Sequence, residues 1–338
     1  MNTTAIEFES EWPHRWAVAL VCATFLLIWV GGLVTTHDAG MAVPDWPNTY
    51  GYNLFLYPWQ SWFTGPFGLF IEHGHRLLGS LSGMLTIGFL ISAWRCQRRT
   101  SVRWLAVAAL VAVVFQGALG GMRVIEDKVQ LAKIHGCVGP AFFAFTVALA
   151  AITSRRWRNA EVPRNLAALG RIERLAVLTT FLAYCQLVLG SQLRHLPAGS
   201  EPGDFRVALL FHLALAAALI VHILLLASHI YRTQRDEWSL VRPATSLVAL
   251  ALVEVSLGAL TWVTKYGWPN WMADLSWTAH YVVQEGSGLQ VWTTTAHVAM
   301  GSMILATSLL VALRSMRLAW NFARTAGGNG AWRMEAAR

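Results

Sequence analysis

The sequence predicts an all-α integral membrane protein with eight transmembrane helices, arranged as two four-helix bundles related by a pseudo-twofold axis. Three observations predict this fold class. Hydrophobic residues make up 55% of the chain and charged residues only 13%, whereas soluble domains carry about 25% charged residues. Eight apolar runs can cross a bilayer as helices, which satisfy their own backbone hydrogen bonds in lipid. Motifs in the first four runs also recur in the last four.

The eight apolar runs follow one another along the chain. Each has about 20 residues, the length that a helix needs to span the hydrocarbon core. The motifs divide the chain into an N-terminal half, residues 1–160, and a C-terminal half, residues 161–338. Corresponding helices run in the same direction, which predicts a twofold axis along the membrane normal. The runs cover residues 16–36, 75–94, 104–122, 133–153, 172–192, 208–230, 244–264 and 292–313.

Arg and Lys set the predicted orientation. With the N-terminus inside, the inner segments hold most of the 26 basic residues, as the positive-inside rule requires. We therefore expect a multi-pass protein of the bacterial inner membrane with both termini in the cytoplasm. The net charge of +8 could also suggest nucleic acid, but nearly all of the basic residues are Arg in an apolar chain, so we expect no nucleic-acid partner.

A histidine opens each even-numbered helix near its predicted outer end, and a small residue follows four positions later. Residues i and i+4 share a helix face, so an imidazole lies beside a notch where a large planar group could fit. Close helix packing can also require the small residues, but it does not explain the histidines. The pairs are His75 and Gly79, His135 and Gly139, His212 and Ala216, and His297 and Gly301.

The odd-numbered helices repeat a second motif, a glycine near the outer end. In three of them a polar residue precedes this glycine by four positions. One of these, Glu254, lies in the middle of a span, where a carboxyl group is costly unless it is paired or protonated; a functional and a packing role both stay open for it. The glycines are Gly31, Gly120, Gly190 and Gly258, and the polar residues are Gln116, Gln186 and Glu254.

Four repeated histidines at one depth favour haem. Imidazole is a common axial ligand of haem iron, and two neighbouring helices can face their histidines across a porphyrin. We predict one haem site per half, near the outer surface. Zinc or copper fits less well, because the sequence has no cluster of cysteines or carboxylates at ligand spacing beside these histidines. The predicted iron ligands are His75 with His135, and His212 with His297.

One carboxylate breaks the symmetry between the halves. Glu72 lies three residues before His75, where the other repeats have Ala132, Leu209 and Thr294. Beside a haem ligand it could stabilise positive charge or move protons, so Glu72 is the predicted catalytic residue. A solvated charge at a helix end is the alternative. The asymmetry suggests that one haem is acted on and that the other serves the reaction.

Four arginines near outer helix ends could bind haem propionates by bidentate hydrogen bonds. Snorkelling to the membrane surface is the alternative for each of them. They are Arg76 and Arg123 in the N-terminal half, and Arg194 and Arg206 in the C-terminal half.

Taken together, these residues resemble the haem A synthases, a family of cytochrome oxidase assembly proteins. The resemblance covers most of the chain, and its combination of motifs is specific. The matching residues are Glu72-His-Gly-His75-Arg76, the histidines His135, His212 and His297, and Gly40-Met-Ala-Val-Pro44-Asp45-Trp46-Pro47 after the helix end Gly31-Gly32-Leu-Val-Thr35.

The resemblance implies oxidation of the C8 methyl of haem O to the formyl group of haem A, for use by terminal oxidases, through successive hydroxylations and loss of water. It implies a haem b cofactor, with its iron, bound by His212 and His297. It places the substrate haem O near Glu72, His75 and His135.

Some members of the family carry a cysteine pair in the first outer loop, which is predicted to cover about residues 37–71 here. This chain has no cysteine in that loop, so its electron donor stays open. Membrane lipid and haem O are the expected partners. The resemblance also points to haem O synthase and cytochrome oxidase assembly factors, and a homo-oligomer stays open.

Two other functions would use the same ligands. One is a bis-histidine membrane cytochrome that only transfers electrons, and the other is a haem transporter or chaperone. The enzyme is favoured because the position of Glu72 and the outer loop match the haem A synthases.

Overall fold

The computed structural model describes residues 10–160, 168–196, 199–272, 275–276 and 278–327. Over these residues the chain forms ten α-helices and a 3-10 turn at Asn270–Met272, with no strand. The helices are α1 (Trp12–Thr36), α2 (Trp59–Thr64), α3 (Phe67–Cys96), α4 (Thr100–Glu126), α5 (Val129–Thr153), α6 (Arg155–Arg158), α7 (Leu169–Arg194), α8 (Pro202–Thr233), α9 (Trp238–Tyr266) and α10 (Gly288–Gly327).

Eight helices of the described part are long and apolar enough to cross a membrane, so the predicted number of spans is confirmed. The short helices α2 and α6 are the other two. Each predicted run lies inside a helix, and several helices begin earlier than predicted. Helix α3, for example, begins at Phe67 rather than at residue 75, because the aromatic and polar residues of a membrane boundary interrupt an apolar run without ending the helix.

Large apolar side chains cover the outside of the bundle. Leu252, Leu210 and Val111 are 68%, 65% and 64% exposed, as expected for helices that face lipid rather than water. Hydroxyl groups lie between helices inside: Oγ1 of Thr24 in α1 is 3.2 Å from Oγ1 of Thr146 in α5. Such small polar residues allow close helix contacts in a membrane. The structure therefore fits a multi-pass membrane protein.

Helix contacts follow the same pattern in the two halves. Helix α1 packs on α3 and α5, as α7 packs on α8 and α10; α4 contacts α3 and α5, as α9 contacts α8 and α10. The halves meet through α5 and α10, with α1 on α10 and α7 on α5. The predicted boundary at residue 160 adjoins residues 161–167, which lie outside the described part. The pseudo-twofold axis itself stays a prediction.

Candidate haem site

The four motif histidines lie on α3, α5, α8 and α10 and come together in the two predicted pairs. The ring centres of His75 and His135 are 6.3 Å apart, with 80° between the ring planes. Those of His212 and His297 are 6.4 Å apart, with 75° between the planes. Each half therefore contains one pair, and the two pairs have nearly the same geometry.

This spacing suits a metal ion between two imidazoles. A metal bound at about 2 Å from one nitrogen of each ring puts the ring centres roughly 6 Å apart. In the described residues no three His, Cys, Asp or Glu side chains are placed to hold a metal together, so each pair offers two ligands. Haem iron needs only axial ligands from the protein, because the porphyrin supplies the others. The pairs therefore fit haem better than zinc or copper.

The motif glycines of the odd-numbered spans lie directly against these histidines. In every repeat, a Cβ atom on the glycine would come within 3.4 Å of Cε1 of the histidine. Real Cβ atoms essentially never approach a neighbour closer than 3.0 Å, and contacts of 3.0–3.4 Å are tight, so Gly31, Gly120 and Gly258 provide space for the imidazoles, whereas the contact at Gly190 is an ordinary one. The distances are 2.8 Å for Gly31 and His75, 3.0 Å for Gly120 and His135, 3.4 Å for Gly190 and His212, and 3.2 Å for Gly258 and His297.

The small residues that follow the histidines have two kinds of surroundings. A Cβ atom at Gly139 would lie 3.2 Å from Nε2 of Gln116, and one at Gly301 would lie 3.0 Å from Oε1 of Glu254. At Gly79 such an atom would meet nothing within 4 Å. The predicted notch is therefore open on α3, whereas on α5 and α10 a polar side chain from the preceding span occupies it.

Glu72 is buried, and each of its oxygens has a partner. Oε2 accepts a hydrogen bond from the backbone N–H of Val43 at 2.8 Å, and Oε1 accepts one from Nη2 of Arg76 at 2.9 Å. The side chains of Glu72 and Arg76 are only 5% and 9% exposed. Glu72 is therefore half of a buried ion pair rather than a solvated charge at a helix end. Its catalytic role stays a prediction.

Arg76 ties the first outer loop to α3. Its Nη1 donates to the backbone carbonyls of Asp45 at 2.6 Å and Asn48 at 2.8 Å, and its Nη2 donates to that of Val43 at 2.7 Å. The sequence does not predict this contact, because every residue has a backbone carbonyl. The guanidinium of Arg76 thus already donates to three backbone carbonyls. Propionate binding by Arg76 stays a prediction.

His73 provides a second attachment for the same loop. Its Nδ1 lies 3.0 Å from Oγ1 of Thr49, and its ring centre lies 5.1 Å from those of Tyr57 and Trp62. His73 does not recur in the other repeats, so the motif comparison could not find it. The loop therefore owes its position to side chains that flank the predicted ligand His75.

Within the loop, Asp45 fixes a turn. Its carboxylate accepts hydrogen bonds from the backbone N–H groups of Tyr50 and Gly51, both at 2.8 Å. Partial burial acts to raise the pKa of Asp45, but backbone hydrogen bonds, first those from Gly51 and Tyr50, and the charge of Arg76 lower it. The pKa of Asp45 therefore lies below its ordinary value of 3.8, and the turn is held by an ionised group at neutral pH.

The other three arginines have different surroundings. Arg194 on α7 donates to the carbonyl of Gly32 at 2.9 Å and to Oγ1 of Thr36 at 2.5 Å, so it links the C-terminal half to α1. Arg123 packs against the first outer loop, and Arg206 is exposed on α8. Propionate binding by Arg123, Arg194 and Arg206 stays a prediction.

Comparison with known proteins assigns the family. The sequence profile of the COX15-CtaA family, described as cytochrome oxidase assembly protein, matches residues 14–283. The chain belongs to this family. The matched segment contains Glu72 and three of the four motif histidines, and His297 lies beyond it. The resemblance predicted from the motifs is thereby confirmed.

Several curated relatives of this cytochrome oxidase assembly protein carry the name Heme A synthase. The protein of Symbiobacterium thermophilum is 28% identical over 273 residues, which are 72% of this chain and 84% of the relative. That of Geobacillus kaustophilus is 24% identical over 269 residues, 74% and 82% of the two chains. That of Hyphomonas neptunium is 23% identical over 230 residues, 61% and 66%.

Proposed function

We propose that this cytochrome oxidase assembly protein is a haem A synthase, which oxidises the C8 methyl of haem O to the formyl group of haem A. One observation carries the proposal: two bis-histidine pairs have matching geometry, and among the described residues only the N-terminal pair has a buried carboxylate, Glu72, on a helix that carries one of its histidines. The family and the name of its relatives support the same reaction.

The C-terminal pair is proposed to hold a resident haem b, with His212 and His297 as iron ligands and Arg194 and Arg206 near its propionates. A haem in this place would supply one-electron redox chemistry. Neighbouring side chains contact the imidazoles: Nε2 of Gln186 lies 3.1 Å from Nδ1 and 3.2 Å from Nε2 of His212, and Oε1 of Glu254 lies 3.2 Å from Nδ1 of His297.

The N-terminal pair is proposed to bind the substrate haem O through His75 and His135, with Arg76 and Arg123 near its propionates. Glu72 then acts one helical turn from an iron ligand. Val43 and Arg76 fix its carboxylate, and its proposed role is to stabilise positive charge at the reacting carbon or to accept a proton released there.

The proposed location is the bacterial inner membrane, with both termini in the cytoplasm and both haem sites toward the outer face. Eight apolar spans support a multi-pass membrane protein, and the distribution of Arg supports this orientation. Haem O and lipid are the proposed partners. Haem O synthase, cytochrome oxidase assembly factors and a second copy of the chain are further candidates.

Product analysis tests the function directly. The chain is produced in a host that makes haem O and lacks its own haem A synthase, and the haems are extracted and identified by mass spectrometry. Haem A is the expected product. Haem O that stays unchanged beside a haem-loaded protein would instead favour the electron-transfer cytochrome or the haem carrier.

Ligand variants test the site assignment. His212→Ala and His297→Ala should each reduce the haem b content, because each removes an axial ligand. His222→Ala, on the same helix as His212, is the matched control and should retain haem. Equal haem content in all three proteins would contradict the assigned ligands.

A further inference from the structure

The residue four positions before each motif glycine reaches toward the histidine of the following span. Nε2 of Gln116 donates to the backbone carbonyl of His135 at 3.0 Å, and not to its ring. In the C-terminal half the side chains reach the rings. The four residues at this position are Leu27, Gln116, Gln186 and Glu254, so a carboxylate occurs in one repeat only.

Glu254 and His297 form the closest contact between an acid and a predicted ligand. Oε1 of Glu254 lies 3.2 Å from Nδ1 of His297, a distance at which an imidazole N–H and a carboxylate attract each other, although the angle is not that of an aligned hydrogen bond. The other oxygen, Oε2, is buried without a hydrogen-bond partner. His297 is therefore the polar group toward which this carboxylate is directed.

The chain makes room for this contact. A Cβ atom at position 301 would lie 3.0 Å from Oε1 of Glu254, so Gly301 leaves the space in which the carboxylate lies. The side chains of Glu254 and His297 are 20% and 24% exposed. An acid in the middle of a span is costly to keep, and packing alone would be served by an apolar residue.

We infer that Glu254 is a positioning residue for His297 and lowers the reduction potential of the haem held by the C-terminal pair. This inference rests on the proposed function. A carboxylate charge beside the imidazole makes the ring a stronger donor to iron and favours the more positively charged ferric state. The positive charge of Arg194 acts on His297 in the direction opposite to that of the Glu254 carboxylate. Arg194 is present in every variant of the redox titration.

The N-terminal pair lacks this contact. Among the described residues, the contact of Glu254 with His297 is the one ion-pair contact of a predicted ligand, whereas the Nδ1 atoms of His75, His135 and His297 all lack an aligned hydrogen bond. Beside His212 the corresponding side chain is the neutral amide of Gln186, whose Nε2 lies 3.1 Å from Nδ1 and 3.2 Å from Nε2 of the ring. Among the described residues, a carboxylate in contact with a predicted ligand therefore occurs in the C-terminal half.

A redox titration of the purified protein tests the inference. The titration uses a His75→Ala background, in which only the C-terminal pair can ligate haem with two imidazoles, and follows the haem absorption while the potential is set with mediators and dithionite. Glu254→Gln keeps the size of the side chain and removes its charge. We expect reduction to become about tenfold more favourable, a rise of about 59 mV in the midpoint potential.

Two further variants make the outcome decisive. Glu237→Gln makes the same change at the residue that precedes α9 and should leave the midpoint unchanged. Gln186→Glu adds a carboxylate beside His212 and should lower the midpoint. An unchanged midpoint in Glu254→Gln overturns the inference. Should Glu254→Gln lose its haem, an unchanged midpoint in Gln186→Glu overturns it instead. A parent protein that binds no haem overturns the proposed function as well.

Discussion

The carboxylate of Glu72 accepts a hydrogen bond from the backbone N–H of Val43, 2.8 Å away. Because its other oxygen is paired with Arg76, the predicted catalytic residue also holds the first outer loop against α3. A substitution of Glu72 therefore changes both the chemistry of the site and the support of the loop. These two effects can be separated by the choice of the replacement.

Glu72→Gln and Glu72→Ala should differ in stability but not in product formation. Glu72→Ala leaves the buried Arg76 without its ion-pair partner. Such a loss lowers the free energy of unfolding by about 3–5 kcal/mol, so we expect a lower Tm in detergent. Glu72→Gln keeps an oxygen for the N–H of Val43 and should be less destabilised. Both variants should bind haem b and yield no haem A. Haem A formation by Glu72→Gln would contradict the catalytic role of Glu72.

The repeated part of the site could be predicted from the sequence. His75, His135, His212 and His297 recur with glycines at fixed spacing, and helix periodicity converts that spacing into a shared depth and face. The eight spans could be predicted because lipid requires long apolar helices. A repeat thus supplies, within one chain, four independent copies of the same signal.

The loop contacts could not be predicted. Arg76 binds backbone carbonyls, and Glu72 binds a backbone N–H, so the partner residues need no particular side chain. The contact between Glu254 and His297 depends on how α9 and α10 pack, and the spacing of Glu254 from Gly258 only places it on the right face. Unique contacts between elements therefore required the structure.

Lowering the pH should loosen the first outer loop only when the pH falls below the ordinary pKa of an aspartate. The pKa of Asp45 is lower in the folded chain than its ordinary value of 3.8, so its stabilising contribution is complete above that value and is lost as the pH falls through the folded pKa. Limited proteolysis of the loop should give the same cleavage rate from pH 8 to pH 5. Asp45→Asn, which cannot ionise, should be cleaved faster than the parent over this whole range; an equal rate would contradict the role of Asp45.

Arg194→Gln should destabilise the junction of the two halves. Arg194 on α7 donates to Gly32 and Thr36 on α1, and hydrogen bonds to charged groups contribute about 1.5–3 kcal/mol. We expect a lower Tm for this variant. Arg174→Gln is the matched control, because Arg174 is exposed on the same helix and has no proposed haem contact, and its Tm should equal that of the parent. Equal Tm values for both variants would show that the link through Arg194 contributes little.

The motif glycines should tolerate alanine to different degrees, in the order of their distances to the histidines. A Cβ atom at Gly31 would lie 2.8 Å from His75, whereas one at Gly190 would lie at an ordinary 3.4 Å from His212. Overpacking of this kind costs about 1–3 kcal/mol, and His75 must move to relieve it. We therefore expect Gly31→Ala to reduce haem A formation while haem b, held by the other half, is retained.

Gly190→Ala should keep both the product yield and the haem b spectrum of the parent. Similar losses of product in the two variants would mean that these glycines serve general helix packing and not the placement of the imidazoles.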